Sequence, residues 1–519
     1  MTWQRATGLV AAFLFSIPLF AVAQEVRLTA RDGALEVSGT LLDFDGEFYQ
    51  IDSIYGVLTI DGAGVACEGA ACPDPAAFVS EFMVSGASET GSTLLPALLE
   101  AFAQREGYGV RRVVEDDSHF TYELTDPARD ALAARIRFRV SSSDEGFADL
   151  LAEQATIAMS FREISEAERT RALEAGLGDM GNPARSRIIA LDALVPIVSP
   201  ENPVRAIPLD DLARAYSGEI TNWSALDGDD APITLHLLRG GTGLSRMFVR
   251  SVMRPQRASL APDITRHDTA RDLADAVAAD PLAIGISRFS ETGNARSLGL
   301  TGSCGYQNRP SVTALKAEDY PLTVPHFLYT PARRLPRIAR EFLSFSQTPE
   351  AQIAVRDAGY VDQSPETHPL SRQGDRLAKA ILNSGEEIGA DELKRMVAAL
   401  DGAARLALSF RFDGGSTTLD AQSRANIALL AAEIERGRFD GQSLLFAGFS
   451  DGRGRASDNR RLSLRRAEAV RDAVAAVTDT TALFSVSLGA DGFGEAMPMA
   501  CDEDAWGQKV NRRVEVWVR

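Results

Sequence analysis

Short apolar segments alternate with helical periods from about residue 81 to residue 365, and this alternation constrains the fold more than any other feature of the chain. The strand-like segment 82–84, for example, is followed by the loop 85–92 and then by a helix whose apolar face includes Leu94 and Leu98. Such alternation is typical of an α/β domain. A chain of 519 residues has room for roughly three domains, so the segments on either side are predicted to fold separately.

The flanking segments have different patterns. Residues 24–80 contain short alternating strands separated by three Asp-Gly pairs, which favour the tight turns of a small antiparallel meander. Residues 366–404 begin with a polar stretch that contains proline, and they are predicted to be a linker followed by a helix. Residues 405–519 alternate strand, helix, strand, long helix and two terminal strands, which predicts an α+β sheet with helices on one face.

Residues 1–23 have the pattern of a cleavable export signal. Arg5 precedes an apolar run, and Ala21-Val22-Ala23 offers small residues at the cleavage site. An uncleaved anchor is the alternative interpretation. No later stretch approaches the roughly 18 apolar residues of a membrane helix. The chain is therefore expected to be exported without spanning the membrane.

The four cysteines give a partial disulfide prediction. In an oxidising compartment Cys67 and Cys72 could close a short local loop. The spacing of Cys304 and Cys501 leaves open whether these two pair or stay free. Cys67 also lies far from the cleavage site, so lipid attachment at a new N-terminal cysteine has no acceptor.

Charge and motif content weigh against several functions. The 72 acidic and 54 basic side chains leave a formal charge of −18, which disfavours nucleic acid and acidic membrane surfaces as partners. The sequence holds no Walker A triplet, no Cys-x-x-Cys and no His-Glu-x-x-His, so no metal or other cofactor is expected. Residues 448–452 fit the Gly-x-Ser-x-Gly nucleophile elbow of hydrolases, but no histidine follows His368 to act as base. The chain is therefore predicted not to be an enzyme.

The most specific segment runs from residue 446 to residue 470. Asp451 lies in a glycine-flanked turn after a strand, and Arg466 lies on the apolar stripe of the helix that follows. A guanidinium directed toward apolar packing needs an anion, because leaving it unpaired costs roughly 3 to 5 kcal/mol. Asp451 and Arg466 together offer one negative and one positive group, as a zwitterionic amino-acid centre requires. An internal salt bridge between the two is the alternative.

This segment resembles the OmpA-like peptidoglycan-binding domain, and the resemblance extends over residues 405–519. Its motif is carried by Gly448, Ser450, Asp451, Gly454, Asn459, Leu462, Ser463, Arg466, Ala467 and Val470, and by Asn-Arg-Arg-Val-Glu at 511–515. The resemblance implies that Asp451 and Arg466, with Asn459, hold the diaminopimelate of the peptidoglycan stem peptide. It also implies a periplasmic protein retained noncovalently at the cell wall.

Residues 81–365 resemble the phosphate-type periplasmic solute-binding family, which has two α/β lobes joined by a hinge. The resemblance is carried by segments 84–102, 155–165, 193–226, 237–248 and 320–330. It implies a cleft site for phosphate or a related oxyanion, and an ABC permease as the partner in transport. Hydroxyls, backbone N–H groups before a helix and an arginine fork suit such an anion. The implied site residues are Ser88, Thr90, Ser143, Arg239, Thr242 and Gly243.

Three residues depart from that family pattern. Glu89 brings a carboxylate where threonine is usual, Phe161 replaces serine or aspartate, and Leu244 replaces threonine. The cleft could therefore hold an oxyanion, hold another small ligand, or serve only as a scaffold.

The predicted fold class is a multidomain chain with a small β meander, a two-lobed α/β periplasmic-binding-protein domain and a C-terminal α+β OmpA-like domain. The predicted function is capture of phosphate or a related oxyanion by a protein tethered to peptidoglycan. The alternative is a structural or sensor protein whose binding-protein-like domain has lost transport function and docks a partner.

Overall fold

A computed structural model describes residues 25–75, 77–302, 304, 306–382, 387–412 and 418–519 of the chain. The predicted export signal, residues 1–23, lies outside these residues. The chain divides between Ser80 and Glu81 into two compact units. Within the described residues, every helix is too short or too polar to cross a membrane.

The first unit is a five-stranded antiparallel sheet. Its strands are β1 (Glu25–Ala30), β2 (Glu36–Phe44), β3 (Phe48–Ser53), β4 (Gly56–Asp61) and β5 (Val65–Glu68). They lie in the order β4-β3-β2-β1-β5. Gly33 and Gly46, in two of the predicted Asp-Gly turns, have positive φ angles of 74° and 91°. The third pair, Asp61-Gly62, leads into a 3-10 turn, and Gly56 closes the β3–β4 hairpin with a φ of 90°. Cys67 and Cys72 form a disulfide.

The second unit begins with a long mixed sheet. The strands of this part are β6 (Ser80–Ala87), β7 (Gly109–Val114), β8 (His119–Asp126), β9 (Ala131–Ser141), β10 (Ile157–Ser160), β11 (Ser186–Val198), β12 (Ala206–Pro208), β13 (Thr234–Leu238), β14 (Thr265–His267), β15 (Ala283–Arg288), β16 (Arg296–Ser297), β17 (Gly299–Thr301), β18 (Gln307–Asn308) and β19 (Thr323–Tyr329). The main order is β14-β13-β15-β11-β19-β10-β6-β9-β8-β7, with β16 beside β11, while β12, β17 and β18 form a separate small sheet. The strands from β10 to β7 belong to the first lobe, and β13, β14 and β15 belong to the second. The paired strands β11 and β19 join the two lobes.

Helices cover this sheet and place the site loops. They are α1 (Leu95–Glu106), α2 (Ser143–Leu151), α3 (Glu166–Glu174), α4 (Leu209–Tyr216), α5 (Gly243–Phe248), α6 (Ala270–Ala279), α7 (Val312–Lys316), α8 (Arg337–Phe345) and α9 (Pro349–Asp357). A π-helical turn, Val249–Met253, continues α5. Side-chain hydroxyls cap several of these helices, including Ser142 at α2 and Thr242 at α5.

The C-terminal part of the unit is a five-stranded sheet with helices on both faces. Its elements are β20 (Thr367–Pro369), α10 (Gly374–Leu382), α11 (Ala390–Leu400), β21 (Ala404–Arg411), α12 (Ala421–Glu435), β22 (Ser443–Phe449), α13 (Ala456–Val477), α14 (Thr480–Leu483), β23 (Ser487–Gly492), α15 (Ala505–Asn511) and β24 (Arg513–Val518). The strand order is β20-β21-β24-β22-β23.

Segment 366–404, predicted as a linker and helix, contributes to this sheet. β20 extends its edge, while α10 and α11 pack Ala380, Met396 and Leu400 against the face that carries Trp517. α12 and α13 cover the opposite face. The two long helices of residues 405–519 thus lie on one face of the sheet, as predicted, and the helices of segment 366–404 cover the other face. Every residue of β24 is buried as a result.

A disulfide joins the central and C-terminal parts of the second unit. Cys304 lies just before β18, Cys501 lies in the loop before α15, and the two are 197 positions apart in sequence. The pairing that the sequence left open is thus an interdomain bond. It fixes the loop that follows β23 against the central domain.

A buried ion cluster lies at the same joint. It consists of Asp319, Arg376, Arg405, Arg513 and Glu515. Arg405 donates to Asp319 at 2.7 Å, and its Nε lies 3.4 Å from Glu515, while Arg513 donates to Glu515 at 2.6 Å. Arg376 also contacts Glu515. Arg411 also lies 3.4 Å from Asp319, so each carboxylate has more than one cationic neighbour.

The C-terminal part also contacts the first lobe. Arg424 of α12 donates to Glu163 at 2.5 Å, just before α3. Ala421, at the start of α12, is part of the main hydrophobic core of the central domain. The C-terminal domain therefore contacts the first lobe and, through Cys304 and Asp319, the segments around β18 and α7.

Candidate functional site

The Asp451 turn lies where β22 ends and α13 begins. The strand and the helix approach so closely that a Cβ atom on Gly448 would lie 2.0 Å from the Ser463 carbonyl oxygen. A side chain there would push the strand and helix apart, which accounts for the glycine of the motif. The Ser463 hydroxyl also accepts a hydrogen bond from Gly494 N at 3.0 Å. Gly448 and Ser463 thus hold the turn, the helix and the next loop together.

Arg466 is completely buried on the inner side of α13. Its guanidinium lies over the ring of Phe412, with 5.0 Å between Cζ and the ring centroid. Burial lowers the pKa of Arg466, the charge of Arg512 lowers it further, and the Asp451 carboxylate acts in the opposite direction. Asp451 and Arg466 therefore lie close enough for their charges to interact.

Asp451 has an ion partner that the sequence analysis did not name. Arg512 donates from Nη1 to Asp451 Oδ2 at 2.7 Å, and both side chains are largely buried. The other carboxylate oxygen of Asp451 accepts a long hydrogen bond from Arg453 N at 3.4 Å. The turn is thus held by a cation from the C-terminal end of α15.

Two further carboxylates lie beside this turn. A Cβ atom on Gly452 would lie 2.6 Å from Asp502 Oδ2 and 3.3 Å from Glu495 Oε2. Asp502 accepts a hydrogen bond from Gly452 N at 2.7 Å, and Asn459 donates to Glu495 at 3.3 Å.

The pKa values of both carboxyls are shifted upward. Burial raises the pKa of Glu495 and of Asp502, and the negative charge of Asp451 raises both further. An arriving ammonium group would relieve this repulsion. The turn therefore offers a carboxylate-rich pole beside the Arg466 guanidinium.

In the central domain, two of the predicted anion-site hydroxyls have partners within the protein. Ser88 donates to Glu89 Oε2 at 2.6 Å. Thr90 is fully buried, and its Oγ1 lies 2.9 Å from Nδ1 of His326. Burial, with a smaller effect from Arg288, lowers the pKa of His326 to about 3, so this imidazole is neutral.

Glu89 and Phe161 extend from the first lobe to the second. Glu89 Oε1 accepts a hydrogen bond from Leu244 N at 3.4 Å. A Cβ atom on Gly243 would lie 2.6 Å from the Phe161 ring and 2.9 Å from Glu89 Oε2. Burial lowers the pKa of Arg288, but Tyr360, Asp192 and Glu89 together raise it above its ordinary value. Arg288 is therefore charged and acts as a counter-charge to Glu89. The carboxylate and the ring thus fill the space between the lobes at this point.

The four remaining predicted anion-site residues do not all converge on one site. The Ser143 hydroxyl accepts a hydrogen bond from Phe161 N at 3.0 Å. Thr242 caps α5 by accepting from Ser245 N at 3.3 Å. Arg239 is mostly exposed and pairs with Asp268, with 2.5 Å between the nearest atoms. Of the six predicted residues, Ser143 and Gly243 line one cavity.

This cavity has a volume of about 300 Å³ and lies between the two lobes. Its first-lobe wall includes Ser142, Ser143, Asp144, Phe161 and Arg162. Its second-lobe wall includes Gly240, Gly243, Arg246, Arg250 and Arg254. A smaller cavity on the other side of Phe161 is lined by Glu89, Asp192 and Arg288. We name the larger space the arginine cavity.

Roles for Arg512, Glu495 and Asp502, and for the second-lobe arginines of this cavity, were not predicted from the sequence. Arg512 belongs to the quoted C-terminal motif, but nothing in the sequence shows that it reaches Asp451. The second-lobe arginines have a visible signal, since residues 246, 250 and 254 recur at every fourth position.

Comparisons with known proteins agree with this architecture. Residues 75–350 match the family described as the PBP superfamily domain, and residues 411–512 match the OmpA family. Phosphate-binding protein PstS of Bacillus subtilis is 27% identical over 176 residues, which are 33% of this chain and 56% of that protein. The match therefore spans little more than half the length of that relative.

Outer membrane porin F of Pseudomonas aeruginosa is 32% identical over 114 residues, which are 22% of this chain and 31% of the porin. An ABC-type phosphate transport receptor of Vibrio cholerae, known from its crystal structure, has a TM-score of 0.42 and 19% identity. That comparison covers 54% of this chain and 99% of the receptor. The match over its central domain shows that the chain belongs to the PBP superfamily, and the second match shows that it carries a domain of the OmpA family at its C-terminal end.

Proposed function

We propose that this chain is a periplasmic binding protein anchored noncovalently to peptidoglycan, with a central domain that captures phosphate or a related oxyanion. The observation that supports the anchor is the position of a buried guanidinium, Arg466, within electrostatic reach of Asp451 in a carboxylate-rich turn. Free diaminopimelate ends carry an ammonium and a carboxylate on one carbon. Asp451, with Glu495 and Asp502 behind it, attracts the ammonium, and Arg466 attracts the carboxylate.

The anchor is tested by sedimentation of the purified protein with insoluble peptidoglycan. Asp451→Asn and Arg466→Gln are each expected to reduce binding at least tenfold, since each removes a charge-assisted hydrogen bond. Arg461→Gln and Asp458→Asn are matched controls, because these residues form an exposed pair on the same helix. Binding retained by both site variants would contradict the proposal.

Peptidoglycan chemistry gives a second test that needs no variant. Lysine-type peptidoglycan has the side-chain ammonium but lacks the neighbouring carboxylate. The wild-type protein is therefore expected to bind diaminopimelate-type peptidoglycan and to bind the lysine type much more weakly. Equal binding to the two types of peptidoglycan would show that Arg466 does not bind that carboxylate.

The oxyanion proposal for the central domain draws support from its hydroxyl and arginine groups and from the family to which the domain belongs. Calorimetry with inorganic phosphate on ligand-stripped protein tests it. Binding at or below millimolar concentration is the expected result. The absence of both heat and a thermal shift at millimolar phosphate would contradict it.

A second candidate function is favoured by one observation. Glu89 and Phe161 reach across to Gly243 and Leu244, at the place where the family resemblance puts an anion. A domain with this contact could instead act as a structural or sensor element that docks a protein partner. Wild-type protein that binds no small anion, together with a Glu89→Thr variant that gains phosphate binding, would favour this second function.

A further inference from the structure

Three arginines form a row on the second-lobe wall of the arginine cavity. Arg246 lies on α5, Arg250 on the π-helical turn, and Arg254 directly after it. Their spacing of four places them on successive turns of one helical face. All three side chains are exposed. Like charges at this spacing destabilise a helix by about 0.2 to 0.5 kcal/mol per pair, and an anion facing the row would remove this cost.

The first-lobe wall supplies complementary groups. The hydroxyls of Ser142 and Ser143 accept backbone hydrogen bonds from Glu145 at 3.3 Å and Phe161 at 3.0 Å. Each hydroxyl retains its own proton, which it can donate to a ligand oxygen. Arg162 is held in place by Glu168 and Asp144, at 2.7 and 2.5 Å. The cavity is thus lined by donors from both lobes.

Few carboxylates balance the charge of the second-lobe row. Among the described residues, neither Arg250 nor Arg254 forms an ion pair, while Arg246 approaches Asp144 at 3.8 Å. Arg250 and Arg254 are exposed. Desolvation of the guanidinium lowers the pKa of Arg250, and the charges of Arg162 and Arg254 lower it further, against the opposing effect of Asp144. This excess of positive charge is local, because the chain as a whole has a formal charge of −18.

We propose that the arginine cavity binds a phosphoryl group, which Arg250 and Arg254 hold together with the hydroxyls of Ser142 and Ser143. This proposal rests on the proposed capture of an oxyanion, and it places the bound anion away from the Ser88–Thr90 loop. Planar guanidinium groups match phosphoryl oxygens in a bidentate geometry. The volume of about 300 Å³ is at the lower end for small-molecule sites, so inorganic phosphate and a small phosphate monoester both fit.

Binding of this kind links the two lobes. The hydroxyls belong to the first lobe and the arginine row belongs to the second, so one phosphoryl group bridges them. Glu89 and Phe161 fill the neighbouring space and separate the arginine cavity from the smaller one. The proposed site therefore lies on the side of the Phe161 ring that is opposite the smaller cavity.

Calorimetry on the full mature chain tests the inference, with inorganic phosphate and glycerol 3-phosphate as separate probes. An Arg250→Gln/Arg254→Gln double variant is expected to weaken binding at least about tenfold, because two charge-assisted hydrogen-bond donors are lost. Arg214→Gln is the control, since Arg214 pairs with Asp211 and Glu219 on the surface of the second lobe. Tighter binding of one probe identifies the source of the phosphoryl group.

The outcomes separate this inference from the proposed function. Wild-type binding that survives in the double variant but is lost in Arg239→Gln would overturn the arginine cavity and leave oxyanion capture intact. A wild-type protein that binds neither probe would overturn both. The melting temperature of the ligand-free double variant should not fall, because the change relieves repulsion; this result excludes misfolding as the cause of lost binding.

Discussion

Replacement of Glu515 by glutamine should destabilise the protein strongly. Glu515 is completely buried in β24, where Arg513, Arg405 and Arg376 surround it and Trp517 donates to it at 3.1 Å. Glutamine keeps the size of the side chain and removes its charge. Breaking a buried ion pair by removal of one partner costs roughly 3 to 5 kcal/mol, so we expect a loss of that size at pH 7.

The pH dependence provides a second signature. Burial alone would raise the pKa of Glu515, but the charges of Arg376, Arg405 and Arg513 outweigh burial and hold this pKa well below its ordinary value. The carboxylate therefore contributes stability above about pH 4.5, and this contribution is lost as the pH falls toward the folded-state pKa. The difference between wild type and Glu515→Gln should shrink on acidification.

Urea denaturation at pH 7 and at pH 3, followed by fluorescence and circular dichroism, measures this difference. Glu219→Gln is the matched control, because Glu219 forms an exposed pair with Arg214 and should contribute less than about 1 kcal/mol. A free energy of unfolding for Glu515→Gln within about 1 kcal/mol of the wild-type value at pH 7 would show that the charge of Glu515 does not stabilise the fold in this way.

Three further predictions follow from the structure. Combined Cys304→Ser and Cys501→Ser changes should lower stability by up to about 5 kcal/mol, because the bond closes a loop of 197 positions, and calorimetric melting of oxidised wild type and variant measures this. Burial and the charge of Asp420 raise the pKa of Glu318 to about 8, so the wild-type protein should lose stability as the pH rises from about 4.5 to 8. The Glu318→Gln variant should not show this loss, and melting curves across this pH range compare the two proteins. Gly448→Ala should cost several kcal/mol, because its Cβ would lie 2.0 Å from Ser463 O, whereas Gly489→Ala on β23 meets Leu445 at 3.8 Å and should be tolerated in the same denaturation assay.

The turn and the close contacts of the C-terminal site could be predicted from the sequence where a short motif specifies them. Gly448 and Ser463 belong to one motif because the strand and helix touch there, and the turn at Asp451 follows from its flanking glycines. Arg513 and Glu515 belong to the same family pattern, but they are buried and paired with each other, so their role is structural.

Contacts between distant segments were not predictable in this way. Arg512 lies 61 positions from Asp451, and the Cys304–Cys501 bond spans 197 positions. No local propensity encodes such pairings, since the first depends on the tertiary fold of the C-terminal domain and the second on how the two domains pack. The arginine row at 246, 250 and 254 is visible in the sequence, but only the folded chain places it opposite Ser142 and Ser143.

The joint between the central and C-terminal domains has a mechanical consequence. Arg424 pairs with Glu163 of the first lobe, while Cys501 and Arg405 bind Cys304 and Asp319, which lie near β18 and α7. The C-terminal domain is therefore fixed to the central domain at two separate places, and any change in the distance between Glu163 and Asp319 must break or strain one of these contacts.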